Sequence, residues 1–200
     1  MKQSQNILLT LAILPYSILF NFSTFIVASK NAVYSPTKNV AVMVENLVES
    51  RPILTENPAE KEEILWLARI IFSETKNTEE MQKIAWVARN RVESGRWGYS
   101  YQEVALSPSQ FSGLNSWDSQ YHININLDES INNSKWKQAL TVATNVYHAT
   151  ENEKIFNNNV QHFYSPEVVK TPSWAKNKKP VLITYNQTGK QTFRFYEKIK

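Results

Sequence analysis

One glutamate occupies the position in this chain with the clearest chemical potential. Glu74 follows Leu67 by seven residues, which at 100° per residue leaves it about 20° from Leu67 around a helix. Its carboxyl is therefore aimed along the same apolar stripe. A carboxyl partly removed from water by apolar neighbours has its pKa raised, so that it can hold a proton near neutral pH and deliver it as a general acid. On spacing alone a second reading stays open, in which Glu74 is a helix-end residue that reaches solvent or pairs with Lys76 or Arg69.

The other candidates carry plainer alternatives. Asp118, within SGLNSWDSQYH, is the nearest candidate for a second carboxylate, but its Ser- and Asn-rich surroundings also describe a loop aspartate closing an Asx turn. Trp97, Trp117 and Trp174 offer flat faces for stacking or bulk for a core, and Trp174, after Pro172 in a polar stretch, is the best placed for stacking. His122, His148 and His162 have no mutual spacing that suggests a metal site, so neither metal nor cofactor is expected. His148, near a helix end, reads as a dipole or surface residue. Ser112 lacks the strand-turn-helix elbow with flanking glycines that a serine nucleophile needs.

These residues must be positioned by the elements around them. Asn57-Pro58-Ala59-Glu60 is a helix start, with Asn57 as cap, Pro58 in the first helical position and Glu60 completing a capping box. The helix runs to about Ser73, with Ile64, Leu65, Leu67, Ala68, Ile71 and Phe72 as its buried stripe. Asn77-Thr78-Glu79-Glu80 repeats the capping-box pattern before a second helix, whose stripe is Met81, Ile84, Ala85, Ala88 and Val92. Ser100 with Glu103 opens a short helix through Leu106. Ser134 opens a longer one, with Trp136, Ala139, Leu140, Ala143, Val146 and Tyr147 inward, giving four helices. Val181–Tyr185 and Thr192–Tyr196 flank a five-residue loop containing Gly189, the pattern of a closing β-hairpin. The class is α+β, mostly helical.

The 200 residues, 42% apolar and 20% charged, fit one globular domain with a real core. Ile7 to Ala28 contains no charged side chain and follows Lys2, so residues 1–29 read as a signal peptide cut near Val27-Ala28-Ser29 or as an uncleaved anchor. An exported protein follows, touching a membrane only through that segment if it is retained. Residues 30–56 read as a linker. With no cysteine there is neither a disulfide nor thiol catalysis. The pI near 9.1 has a local source, since Lys170, Lys176, Lys178, Lys179, Lys190, Arg194, Lys198 and Lys200 face only Glu197 at the C-terminal end. Such a patch suits anionic polymers, and export makes nucleic acid the weakest of the anionic partners.

Five blocks in order, LARIIFSETKN (Leu67 to Asn77), ARNRV (Ala88 to Val92), SPSQFSG (Ser107 to Gly113), HFYSP (His162 to Pro166) and PSWA (Pro172 to Ala175), resemble the spore-cortex-lytic type of cell-wall hydrolase. The resemblance covers roughly residues 62 to 197. It implies a lysozyme-like domain over 57–200, similar in fold to soluble lytic transglycosylases and resuscitation-promoting factors. It matches Glu74 to the single catalytic glutamate and Gln110-Phe111-Ser112 to a segment of the substrate groove. His162-Phe163-Tyr164 matches a second lining segment, and Asp118 and Trp174 join the expected substrate contacts. The implied partner is the peptidoglycan glycan strand, with anionic wall polymers as further partners and a monomer as the working unit. The implied cut falls between N-acetylmuramic acid and N-acetylglucosamine. Several relatives leave a 1,6-anhydro end, and this needs only one protein carboxyl because the sugar's own 6-hydroxyl attacks. A muramidase that uses water and a wall-binding protein that does not cut are the alternatives. The chain departs from the family pattern after the glutamate, where it reads Thr75-Lys76-Asn77-Thr78 in place of small, basic and glycine residues followed by an acid.

Overall fold

The computed structural model describes residues 57–197. The expected signal or anchor segment 1–29 and linker 30–56 lie outside them, as do Lys198 and Lys200. The order of elements is α1 (Pro58–Glu74), α2 (Thr78–Ser94), α3 (Tyr101–Leu106), α4 (Tyr121–Asn124), α5 (Ser134–His148), then β1 (Val160–Tyr164), β2 (Leu182–Tyr185) and β3 (Gln191–Glu197). Single 3₁₀ turns at Ser112–Leu114, Glu151–Glu153 and Ser173–Ala175 punctuate it. The class is α+β and mostly helical.

The helices begin where polar side chains can satisfy their first N–H groups. Asn57 Oδ1 accepts from Ala59 N at 3.1 Å, Asn77 Oδ1 from Glu79 N at 3.0 Å, Ser100 Oγ from Glu103 N at 3.1 Å and Asn133 Oδ1 from Lys135 N at 2.9 Å. α2 stops at Gly95, whose φ of 64° is the left-handed conformation glycine adopts without strain. The stripes of α1, α2 and α5 meet in one core around Trp86, Trp136, Ile64, Leu67 and Ile71, all but inaccessible to solvent. The four helices read from the sequence are joined by α4, a single turn too short to carry an apolar period.

The expected hairpin is present, but it is part of a larger sheet. β1 pairs antiparallel with β3, and the strand order is β1-β3-β2. Three consecutive polar residues of α2 fasten this sheet and α5 to the helical layer. Arg89 Nη1 donates to the carbonyls of Val146 and Ala149, both at 2.7 Å. Asn90 Nδ2 donates to those of Asn157 at 2.9 Å and Val160 at 3.0 Å. Arg91 Nε donates to Gln161 O at 2.8 Å. Each gives a side-chain donor to backbone carbonyls of the segments packed against α2.

Candidate active site

Glu74 is the last residue of α1, and the chain leaves the helix immediately after it. Thr75 is extended, at φ −153°, while its N–H still reaches Ile71 O at 3.1 Å. The carboxyl therefore projects from a rigid helix end into a groove of about 590 Å³. One wall is the α1–α2 turn with Ser73, Thr75, Lys76 and Glu80. The second is the loop of Ser109, Gln110 and Ser112. The third is the sheet, through Phe163, Tyr164, Thr192 and Phe193, with Ser165, Glu167, Val168 and Val169 at its edge.

Glu74 keeps some solvent exposure, and among the described residues it forms no ion pair. The partners that a helix-end reading would give it are engaged elsewhere. Arg69 reaches Leu127 O at 3.1 Å and Glu62 Oε1 at 3.5 Å, and the Lys76 ammonium bonds to Phe72 O and lies over the Phe72 ring. Burial pushes the Glu74 carboxyl up from 4.5 to about 7, against the opposing pull of the positive charges on Arg91 and Lys76. It is thus near half-protonated at neutral pH.

Arg91 stands out as the principal residue that sequence reasoning left unassigned. It is 3% exposed, and its guanidinium lies 5.1 Å from the ring centre of Trp97, 4.9 Å from that of Phe111 and 5.7 Å from that of Phe163. Its Nη1 has no hydrogen-bond partner. Burial lowers its pKa to about 10, partly offset by Glu74, so it stays charged at neutral pH. The signal was available, because Arg91 follows Ile84 by seven residues as Glu74 follows Leu67.

The groove brings together Glu74, Gln110, Ser112, Phe163 and Tyr164 from three separate blocks of sequence. Phe111 is fully buried beneath the wall, where it meets the Phe163 ring at 6.2 Å; it supports the groove and does not face it. His162 points away from the groove lining. It packs between Trp97, met edge-on at 5.5 Å, and Trp174, tilted at 5.4 Å, and burial, with Arg91 and Arg96 nearby, holds it down to about 4. Trp174 also packs on Tyr164 and Tyr196 in a small second core, and it is not among the residues that line the groove. Asp118 is likewise absent from the groove lining. Its Oδ1 accepts from Gln120 N at 2.8 Å in the Asx turn that was its plainer reading.

Glu80 departs from the sequence expectation in the opposite direction. The capping-box pattern would send its carboxylate back to Asn77 N–H, but that N–H donates to Thr75 Oγ1 at 3.1 Å. Glu80 instead faces the groove and accepts from the hydroxyls of Thr75 and Thr192. Gly113 shapes the opposite wall. A Cβ there would lie 3.2 Å from Ser73 Cβ and 3.1 Å from Asn124 Nδ2, tight enough that one of these neighbours would have to give by a few tenths of an ångström.

Glu74 thus presents a proton-holding carboxyl on a rigid helix end that fronts an open groove of mixed polar and apolar lining. The chain belongs to the Cell Wall Hydrolase family, whose model matches residues 75–194. The match begins one residue after Glu74 and takes in the groove lining from Thr75 to Phe193. No curated protein and no solved structure matches the chain. Family membership makes the protein a cell-wall hydrolase and implies peptidoglycan as its substrate.

Proposed function

We propose that the protein cleaves peptidoglycan glycan strands between N-acetylmuramic acid and N-acetylglucosamine as a lysozyme-like lytic transglycosylase, with Glu74 as its acid and then its base. The observation that carries this reading is Glu74 itself, held near 7 between burial and two cations. A group poised there can both give and take a proton at neutral pH.

Glu74 donates its proton to the oxygen that bridges C1 of the muramic acid and C4 of the glucosamine. The C1–O bond breaks, its electron pair leaves with the oxygen as the 4-hydroxyl, and positive charge develops at C1, which the 2-acetamido group helps to stabilise. The 6-hydroxyl oxygen of the muramic acid then bonds to C1 and its proton passes to the Glu74 carboxylate. No water is consumed and the acid is regenerated. Ordinary glycosidases need a second carboxyl as nucleophile or to activate water, whereas here the substrate supplies the nucleophile. Gln110, Ser112, Phe163 and Tyr164 are the side chains placed to hold the strand, and Arg91 favours the carboxylate that forms after the first transfer.

The apolar segment before residue 30 takes the protein out of the cytoplasm to its substrate. Mass spectrometry of borohydride-reduced digests of purified peptidoglycan tests the product. The expected muropeptides lack one water and the two hydrogens of reduction. Fully reducible ends would show that water is the nucleophile and that the enzyme is a muramidase.

A further inference from the structure

Glu80 is a carboxylate that the fold buries without a countercharge. It is 6% exposed, its remaining surface faces the groove, and no lysine, arginine or histidine among the described residues pairs with it. The cations of the neighbouring elements are committed elsewhere, Lys190 to Glu167 at 3.0 Å and Arg194 to Gln191 at 2.8 Å. Buried charge of this kind is costly to a fold unless hydrogen bonds or a partner compensate it.

Two relays converge on it. Asn77 N–H donates to Thr75 Oγ1, and the Thr75 hydroxyl passes its own hydrogen to Glu80 Oε2 at 2.7 Å. From the sheet, Phe193 N–H donates to Thr184 Oγ1 at 3.1 Å, Thr184 and Thr192 are joined at 2.7 Å, and the Thr192 hydroxyl donates to Glu80 Oε1. Each relay starts at a backbone N–H, which can only donate, and ends at a carboxylate oxygen. The arrangement is complete with Glu80 accepting at both oxygens, the form an ionised carboxylate presents. A capping role would have used the Asn77 N–H, and the structure gives that donor to Thr75.

We propose that Glu80 is a second working carboxylate of the groove, a fixed anion that stabilises the positive charge developing on the sugar ring while Glu74 moves the proton. The proposal rests on the reading of the groove as a glycan-cleaving site. The missing countercharge then arrives with the reaction, as the cationic sugar. Two hydroxyl donors occupy the carboxylate oxygens and hold the anion in place, so its part is electrostatic. Burial, not a neighbouring carboxylate, raises Glu74, so the two acids do not form a tightly coupled pair.

The test uses the whole chain and purified peptidoglycan, with kcat, KM, pH profile and melting temperature read together. Glu80→Gln is expected to lose about 10- to 100-fold in kcat, with KM within about twofold, an unmoved pH limb from Glu74, and a melting temperature unchanged or raised because an uncompensated buried charge is gone. Thr192→Val, which keeps the charge and removes one donor, is expected to keep at least about a third of wild-type kcat, since the remaining donor still orients the anion. A folded Glu80→Gln enzyme with more than half of wild-type kcat overturns the proposal. So does a kcat loss accompanied by a lowered melting temperature and a shifted Glu74 limb, which would mark a structural tie. Should Glu80→Gln fail to fold, Thr192→Val decides alone, and a loss beyond about tenfold there overturns the anion's role. Failure of the underlying reading shows separately, as Glu74→Gln retaining activity.

Discussion

At Glu74, burial raises the carboxyl and Arg91 with Lys76 lowers it, and the balance near 7 has a consequence for stability as well as for catalysis. In the unfolded chain the carboxyl ionises near 4.5, whereas in the folded protein it keeps its proton to about 7. Between those values the folded state binds more protons, so the stability it contributes is fully present below 4.5 and is lost as pH rises through 7. The difference is on the order of 3 kcal/mol, and Glu74→Gln removes it. Denaturation series from pH 4.5 to 8 are therefore expected to show the wild type weakening relative to the variant as pH rises, and parallel curves would contradict the assigned environment. His162 acts in the opposite direction. Its folded value of about 4 lies below its unfolded 6.5, so its contribution is present above 6.5 and is lost as pH falls through 4. Stability therefore erodes on both sides from two side chains, and His162→Phe should flatten the acid side. The spacing that made Glu74 legible places Arg91 and Glu80 on the same face of α2, but charged residues on an apolar stripe read as boundary or cap chemistry until the partner elements are known.

At the scale of elements, the sheet wall of the groove is held by side chains of α2. Asn90 satisfies two carbonyls at the start of β1 with one amide nitrogen. Asn90→Ala removes the side-chain donor from both, leaving Asn157 O with only the Val160 N–H at 3.1 Å, which costs about 1 to 3 kcal/mol in all. We expect a lower denaturation midpoint together with a raised KM, because Phe163 and Tyr164 follow directly along the strand. An unchanged KM in the destabilised variant would mean that the wall is positioned some other way. The four long or well-capped helices were readable because caps and apolar periods are local signals. β1 was not, because its partner β3 lies some thirty residues further on and only that pairing makes VQHFY a strand. α4 offers one turn and no period. Trp174 and His162 were readable as aromatic neighbours of a site but not as neighbours of each other, since their packing is set by the sheet.

At the scale of the described chain, most of the exposed positive charge of the C-terminal region lies outside the residues that line the groove. Lys170, Lys176, Lys178, Lys179 and Lys190 are exposed, while of the two cations that act on Glu74 one, Arg91, is buried and the other, Lys76, lies in the groove wall. The exposed group should draw the protein to anionic wall polymers with a strength that falls as salt shortens the screening length from about 10 Å at 0.1 M. Binding to insoluble wall is expected to weaken between low and high salt, and equal binding at both would remove adsorption from the patch. The proposed proton transfer, by contrast, runs through Glu74 alone, and the most direct measurement is the rate of muropeptide release from purified peptidoglycan by folded Glu74→Gln beside the wild type. The amide keeps the shape of the side chain and cannot deliver a proton, so a loss of about 10² to 10⁴ is predicted. A folded variant retaining more than about a tenth of wild-type activity would contradict the assignment of Glu74 as the acid/base.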